Sequence, residues 1–195
     1  MAKVTAPLLS FSASGKIADT LVGFSWKGIN VMRQYVVPSN PQTAAQTTQR
    51  EAMSDSVSAW RNYFTLAAMR TAWNRLALEL ADTMSGFNAF IRNAVKVIVV
   101  DPDASFASLT EATAAQKVSI TVLNLDDGAA GDEAGDFEIW VGDSPGSLLL
   151  SESVAIAASV VVGTKDLGNV GDIKYVKIRK GGCDRGGIDK ITLIA

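Results

Sequence analysis

The apolar positions of the chain change period twice. From residue 7 to 37 they come in short extended runs. Leu8, Leu9 and Phe11 precede a Ser12-Ala13-Ser14-Gly15 turn, and Lys16–Trp26 and Ile29–Val37 flank Lys27-Gly28. Glycine supplies the positive φ that a tight hairpin turn needs, so a β-hairpin is expected here. In its second arm Ile29, Val31, Arg33, Tyr35 and Val37 share one face, with Asn30, Met32, Gln34 and Val36 on the other. Neither face is cleanly polar. A lone hairpin is marginal in water, so it is expected to pack on the helices and to add to a neighbouring chain.

Residues 36–46 form a bracket between the extended and helical parts. Pro38 and Pro41 cannot donate backbone hydrogen bonds, and each pushes the preceding residue out of the helical region. Ser39 or Asn40 can cap a helix, and Pro41 suits its first position. The first helix is expected from about Pro41 to Asn62, with Met53, Val57, Trp60 and Phe64 as its buried stripe. Its first half, 42–50, is polar and small, which fits either a solvated start or a surface laid against another protein. Thr65 can cap a second helix with Met69, Trp73, Leu76 and Leu80 inward. Ser85 can cap a third, with Phe87, Phe90, Ile91 and Ala94 inward and Gly86 permitting close approach. Trp60 and Trp73 read as core anchors, with Arg61, Arg70, Arg75 and Arg92 snorkelling around the bundle.

The period changes again at Val95–Val100, which reads as a strand or as a helix end running into one. Asp101-Pro102-Asp103 is a break and the expected domain boundary. Beyond it, Lys117–Asn124, Asp136–Gly142, Ser147–Val154, Ser159–Gly163, Lys174–Lys180 and Lys190–Ile194 read as strands separated by Gly/Asp/Asn/Pro turns. The expected fold is therefore an α+β N-terminal module, a β-hairpin plus three-helix bundle over residues 1–100. An all-β, Ig-like or fibronectin-like sandwich follows over 104–195.

Charge sharpens that division. Residues 1–100 carry ten Lys/Arg against five Asp/Glu, and 101–195 carry eight against fifteen, within a net charge of −2. The basic surplus is too diffuse for specific nucleic-acid binding, with no aromatic-interleaved Arg cluster. The chain has no histidine, which removes the commonest general base and metal ligand at neutral pH. Neither a catalytic set nor a cofactor is expected. One cysteine, Cys183, allows no intrachain disulfide. It reads as a small residue in a Gly-rich turn, with a reactive thiol beside Lys180 and Arg185 as the alternative. The opening residues lack a long apolar run, so no secretion signal is expected, and no apolar stretch is long enough for a membrane span.

Two motifs invite a ligand reading. The acidic stretch 126–136 offers oxygen ligands for calcium, but its spacing departs from the twelve-residue calcium loop, and a solvated hairpin tip is the plainer expectation. The stretch 181–187 looks like a phosphate cradle but lacks the following Lys-Ser/Thr and helix, so a wide β-turn is expected.

Several spaced elements carry a family resemblance. Gly15-Lys16-Ile17, Trp26-Lys27-Gly28, Arg33-Gln34-Tyr35-Val36, Pro38-Ser39-Asn40-Pro41-Gln42-Thr43-Ala44-Ala45-Gln46 and Gln49-Arg50, followed by Ala72-Trp73-Asn74 and the Ser-Gly-Phe-Asn-Ala-Phe-Ile run at 85–91, resemble a recurrent tailed-phage and prophage module. The resemblance covers about residues 10–95. It implies a non-enzymatic structural protein of the virion, made in the host cytoplasm, and leaves head and tail positions open. A capsid decoration protein is the first expectation. A tail, tail-tip or connector protein and a host-glycan-binding adhesin are the alternatives. Major capsid or other virion proteins, further copies of the chain and a host surface glycan are the partners so implied. Trp26, Arg33, Tyr35, Asn40, Pro41, Gln42, Thr43, Gln46 and Arg50 are the expected protein-interface residues.

Overall fold

Local chemistry sets the first unit. Lys27 and Gly28 both have positive φ, 49° and 78°, and join the strands Leu21–Trp26 and Ile29–Gln34 as a two-residue turn. A computed structural model of the chain describes residues 2–3, 14–17, 19–80 and 83–195. Over these residues an antiparallel sheet forms from β1 (Ala2–Lys3), β2 (Gly15–Ile17), β3 (Leu21–Trp26) and β4 (Ile29–Gln34), in the order β1-β4-β3-β2. The hairpin expectation holds for β3 and β4. Leu8, Leu9 and Phe11 lie outside the described residues.

The chain divides into two compact units, Met1–Gln42 and Thr43–Ala195. The joint therefore falls in the proline bracket rather than at Asp101–Asp103, and the helices belong to the same unit as the strands that follow. The reason is a shared core. Phe64, Trp73, Leu76, Phe90 and Ile98 from the helical part are buried in one cluster with Phe106, Leu125 and Ile188 from the β part.

Three helices open this second unit: α1 (Ala44–Asn62), α2 (Ala67–Glu79) and α3 (Gly86–Ile98). Helix α1 begins three residues later than expected. Gln42 takes a positive φ of 45°, and Thr43 and Gln46 close a capping box, so Thr43 displaces Ser39, Asn40 and Pro41 as the helix start. Its buried face is Ala52, Ser56 and Ala59, one position round from the expected stripe, and Met53 is 46% exposed. Small residues let α1 approach its neighbours, while Val57 and Trp60 wedge in from the side. Helix α2 starts after Leu66 without a side-chain cap, so Thr65 does not serve as one. Ser85 caps α3 by accepting from Asn88 N, as expected, and α3 runs on through Ile98, which removes the strand reading of Val95–Val100. Phe90 is the hub of the aromatic core, its centroid 4.9 Å from Phe64, 5.2 Å from Trp73, 5.3 Å from Trp60 and 5.9 Å from Phe106.

The strands of this unit are β5 (Ser105–Ala112), β6 (Val118–Asn124), β7 (Asp136–Gly142), β8 (Leu149–Ala155), β9 (Val160–Val162), β10 (Ile173–Lys180), β11 (Cys183–Asp184) and β12 (Asp189–Thr192). All pairings are antiparallel. One sheet has the order β5-β6-β9, the other β11-β10-β7-β8 with β12 also paired to β10. Val118, Ile120, Val122 and Val161 of the first sheet share an apolar cluster with Phe137, Ile139, Val176, Ile178 and Ile191 of the second. Strand β5 was not expected. Its adjacent residues Phe106 and Ala107 are both buried but serve different cores, Phe106 the helical one and Ala107 the one between the sheets.

Helices and sheets are joined along α2. Ile188 N donates to Ala72 O at 3.0 Å, and Arg75 donates to Ile188 O at 3.2 Å. A Cβ on Gly187 would stand 2.4 Å from Ala72 C and 2.5 Å from Trp73 N, so only glycine brings the segment between β11 and β12 so close to the helix backbone.

Candidate functional site

The expected interface residues fall on three supports. Trp26 ends β3 and is 59% exposed; Arg33 lies on β4 with its guanidinium 5.4 Å from the Phe24 ring; Tyr35 follows β4 and meets Lys16 Nζ at 4.6 Å from its ring centre. Asn40, Pro41 and Gln42 lie in the segment that ends the first unit, all exposed. Thr43, Gln46 and Arg50 lie in the first turns of α1. Thr43 Oγ1 accepts from Gln46 N at 3.4 Å, and Gln46 Oε1 accepts from Thr43 N at 3.3 Å, so these two side chains are committed to the cap. Every residue from Val36 to Glu51 is exposed.

The acidic stretch 126–136 is mostly exposed, as a solvated reading expects, but it joins strands of different sheets rather than tipping a hairpin. Glu133 turns inward, where it accepts from Arg185 Nη2 at 2.9 Å and Nη1 at 3.1 Å, from Ser105 N at 2.8 Å, and pairs with Lys180 at 2.9 Å. Asp132 accepts from Asn124 Nδ2 at 3.1 Å. Asp126 has a raised pKa. Partial burial pushes its carboxyl up, helped by the negative charges of Asp127 and Asp103 and opposed by backbone hydrogen bonds. Among the described residues no three His, Cys, Asp or Glu side chains stand together as a metal site.

The stretch 181–187 forms a turn and part of a strand edge. Gly181 and Gly182 connect β10 to β11, and Arg179 Nη2 donates to Gly182 O at 2.8 Å. Arg185 is buried, and its guanidinium lies 5.3 Å from the Phe106 ring. Burial pulls its pKa down and the neighbouring Glu133 charge opposes this. Cys183 is a free, half-buried thiol on a groove lined also by Lys96, Val97, Val100 and Lys180. The Glu133–Arg185 pair escaped sequence reading. Its available signal was a single Arg between glycine pairs and one Glu among small residues, which names no partner.

Two further carboxylates have displaced acidity. Burial lifts Asp189 to about 6 against the opposing pull of Thr110 and Arg75. Glu152 is also raised by burial, but hydrogen bonds from Thr164 and Lys165 outweigh this and leave it below its ordinary value. Both sit at joints between elements, Asp189 on β12 beside α2 and Glu152 on β8 holding the segment after β9.

Among the described residues no helix is long and apolar enough to cross a membrane. No protein-family model, curated protein or solved structure matches the chain.

Proposed function

We propose that this chain is a non-enzymatic structural protein of a tailed-phage particle, a capsid decoration or other surface-exposed component. It is anchored through the N-terminal sheet and the segment 36–50, with the acidic β part facing solvent. The observation that carries the reading is the unbroken exposure of Val36–Glu51, the stretch that holds the most specific part of the phage-module resemblance. Within it, the Thr43–Gln46 cap and the Thr47 and Thr48 hydroxyls, which donate to Thr43 O and Ala44 O, are local bonds of the helix start. Repetition over a symmetric particle lets weak contacts of this kind add up.

The β part is read as an Ig-like sandwich. Its first, second and fifth strands lie in one sheet, and its third, fourth, sixth and seventh in the other, the seventh being split into β11 and β12. The net negative charge of this part opposes self-aggregation when it is displayed.

Gel quantification of the chain in purified particles tests the proposal. Hundreds of copies per particle support decoration, and a handful moves the protein to the tail or connector. Absence from particles overturns the reading. Replacing Asn40 or Pro41 with a bulky residue is expected to abolish incorporation.

A further inference from the structure

Among the described residues, one face of the first unit's sheet carries apolar side chains that are mostly not buried. Val22 lies opposite Arg33, Phe24 opposite Val31 and Trp26 opposite Ile29, so all six residues share one face of the sheet. Lys16, opposite Val22, joins them. Of the seven only Val31 is buried, and Trp26 and Ile29 are exposed. Strands of two to six residues with an uncovered apolar face are marginal in water, and contiguous exposed apolar surface marks an interaction site.

Charge selects what covers it. Met1–Gln42 carries four Lys/Arg and one Asp/Glu, a net +3, while Thr43–Ala195 carries −5. Two such sheets meeting face to face would oppose Lys16 and Arg33 to their own copies. The opposite sign lies in the second unit. There Asp101, Asp103 and Asp132 line one concavity of about 320 Å³ with Glu133, whose own charge is already met by Arg185 and Lys180. The hairpin tip presents Lys27, exposed between Trp26 and Ile29.

We propose that the sheet face around Trp26 and Ile29 docks onto the second unit of another copy of this chain, with Lys27 entering the Asp101–Asp103–Asp132 concavity. The contact is head-to-tail, so it closes into a ring or extends as a filament according to the rotation per copy. The inference takes the N-terminal surface of the proposed function and names its occupant.

Sedimentation of the full chain at rising concentration, in low and high salt, tests it. Self-association that weakens with salt is expected. Lys27→Glu and Asp103→Lys are each expected to lower the association constant about tenfold or more, and the two together in one chain to restore much of it. Trp26→Ala is expected to weaken association without recovery by either charge change. All three positions are exposed, so circular dichroism should show an unchanged fold. A chain that stays monomeric at every concentration overturns the proposal, as do single reversals that the double variant does not repair. A monomer that still co-purifies with particles overturns self-docking and leaves the structural role in place.

Discussion

Arg185 grips Glu133 with both terminal nitrogens, and the side chains are 6% and 7% exposed. The pair ties the acidic stretch before β7 to the strand edge after β10. Removing one partner strands the other charge out of water. Glu133→Gln is expected to lower stability by about 3–5 kcal/mol, whereas Glu133→Leu combined with Arg185→Met should recover part of that loss, because Lys180 and Ser105 N still lose their acceptor. Urea denaturation of the three proteins measures both effects.

The approach of Gly187 to α2 sets a second expectation. A methyl group there meets helix backbone, which cannot swing aside as a side chain does. Gly187→Ala should cost about 1–3 kcal/mol. In a unit of this size that is a fall of roughly 3–10 °C in Tm, read by calorimetry.

Ala158 and Ser159 form the two-residue turn between β8 and β9, with φ of 50° and 68°. Neither residue type favours the left-handed region. Replacing them with Asn-Gly should stabilise the protein by about 1–2 kcal/mol. Thermal denaturation would show a raised Tm, and an unchanged or lowered one would contradict the strain argument.

What was legible in the sequence was local. Lys27-Gly28 announces its turn through the glycine, Ser85 its cap through its own hydroxyl, and β6 and β7 their burial through strict alternation. What was hidden depends on residues far apart in the chain. Met53 looked inward by spacing alone, yet the approach of small Ala52, Ser56 and Ala59 decides which face of α1 is buried. Strand β5 lacks a readable period because Ser105 and Ser108 are buried beside Phe106 and Ala107. The joint at Gln42–Thr43 was masked by Asp101-Pro102-Asp103, which has the residues of a linker but leads from a helix into a strand of the same core. For the expected interface residues of the helix start, the polar composition of 42–50 is plain in the sequence, but not that Thr43 and Gln46 are spent on each other.

Stability should respond to pH in two opposed windows. Asp189 has a folded pKa of about 6, above its unfolded value, so its contribution is full below about pH 4 and is lost as pH rises through 6. Asp189→Asn should therefore gain stability relative to wild type between about pH 4 and 6, with the gain level above that. Glu152 is lowered, so its contribution is present above its ordinary pKa and disappears as pH falls through the folded one. Glu152→Gln should lose stability at neutral pH and converge with wild type in acid. Denaturation curves across pH 3–8 for both variants check the two signs.

Strand β5, whose neighbouring side chains Phe106 and Ala107 point to separate interiors, sets where this protein can be dissected. Cutting at residue 103 would strip Phe90 of its Phe106 neighbour and leave Leu125 and Ile188 wetted, so both fragments would be sticky remnants. The division between compact units falls instead at Gln42–Thr43. Recombination that exchanges modules is therefore expected to break the chain near Gln42 and to carry residues 43–195 as a single piece.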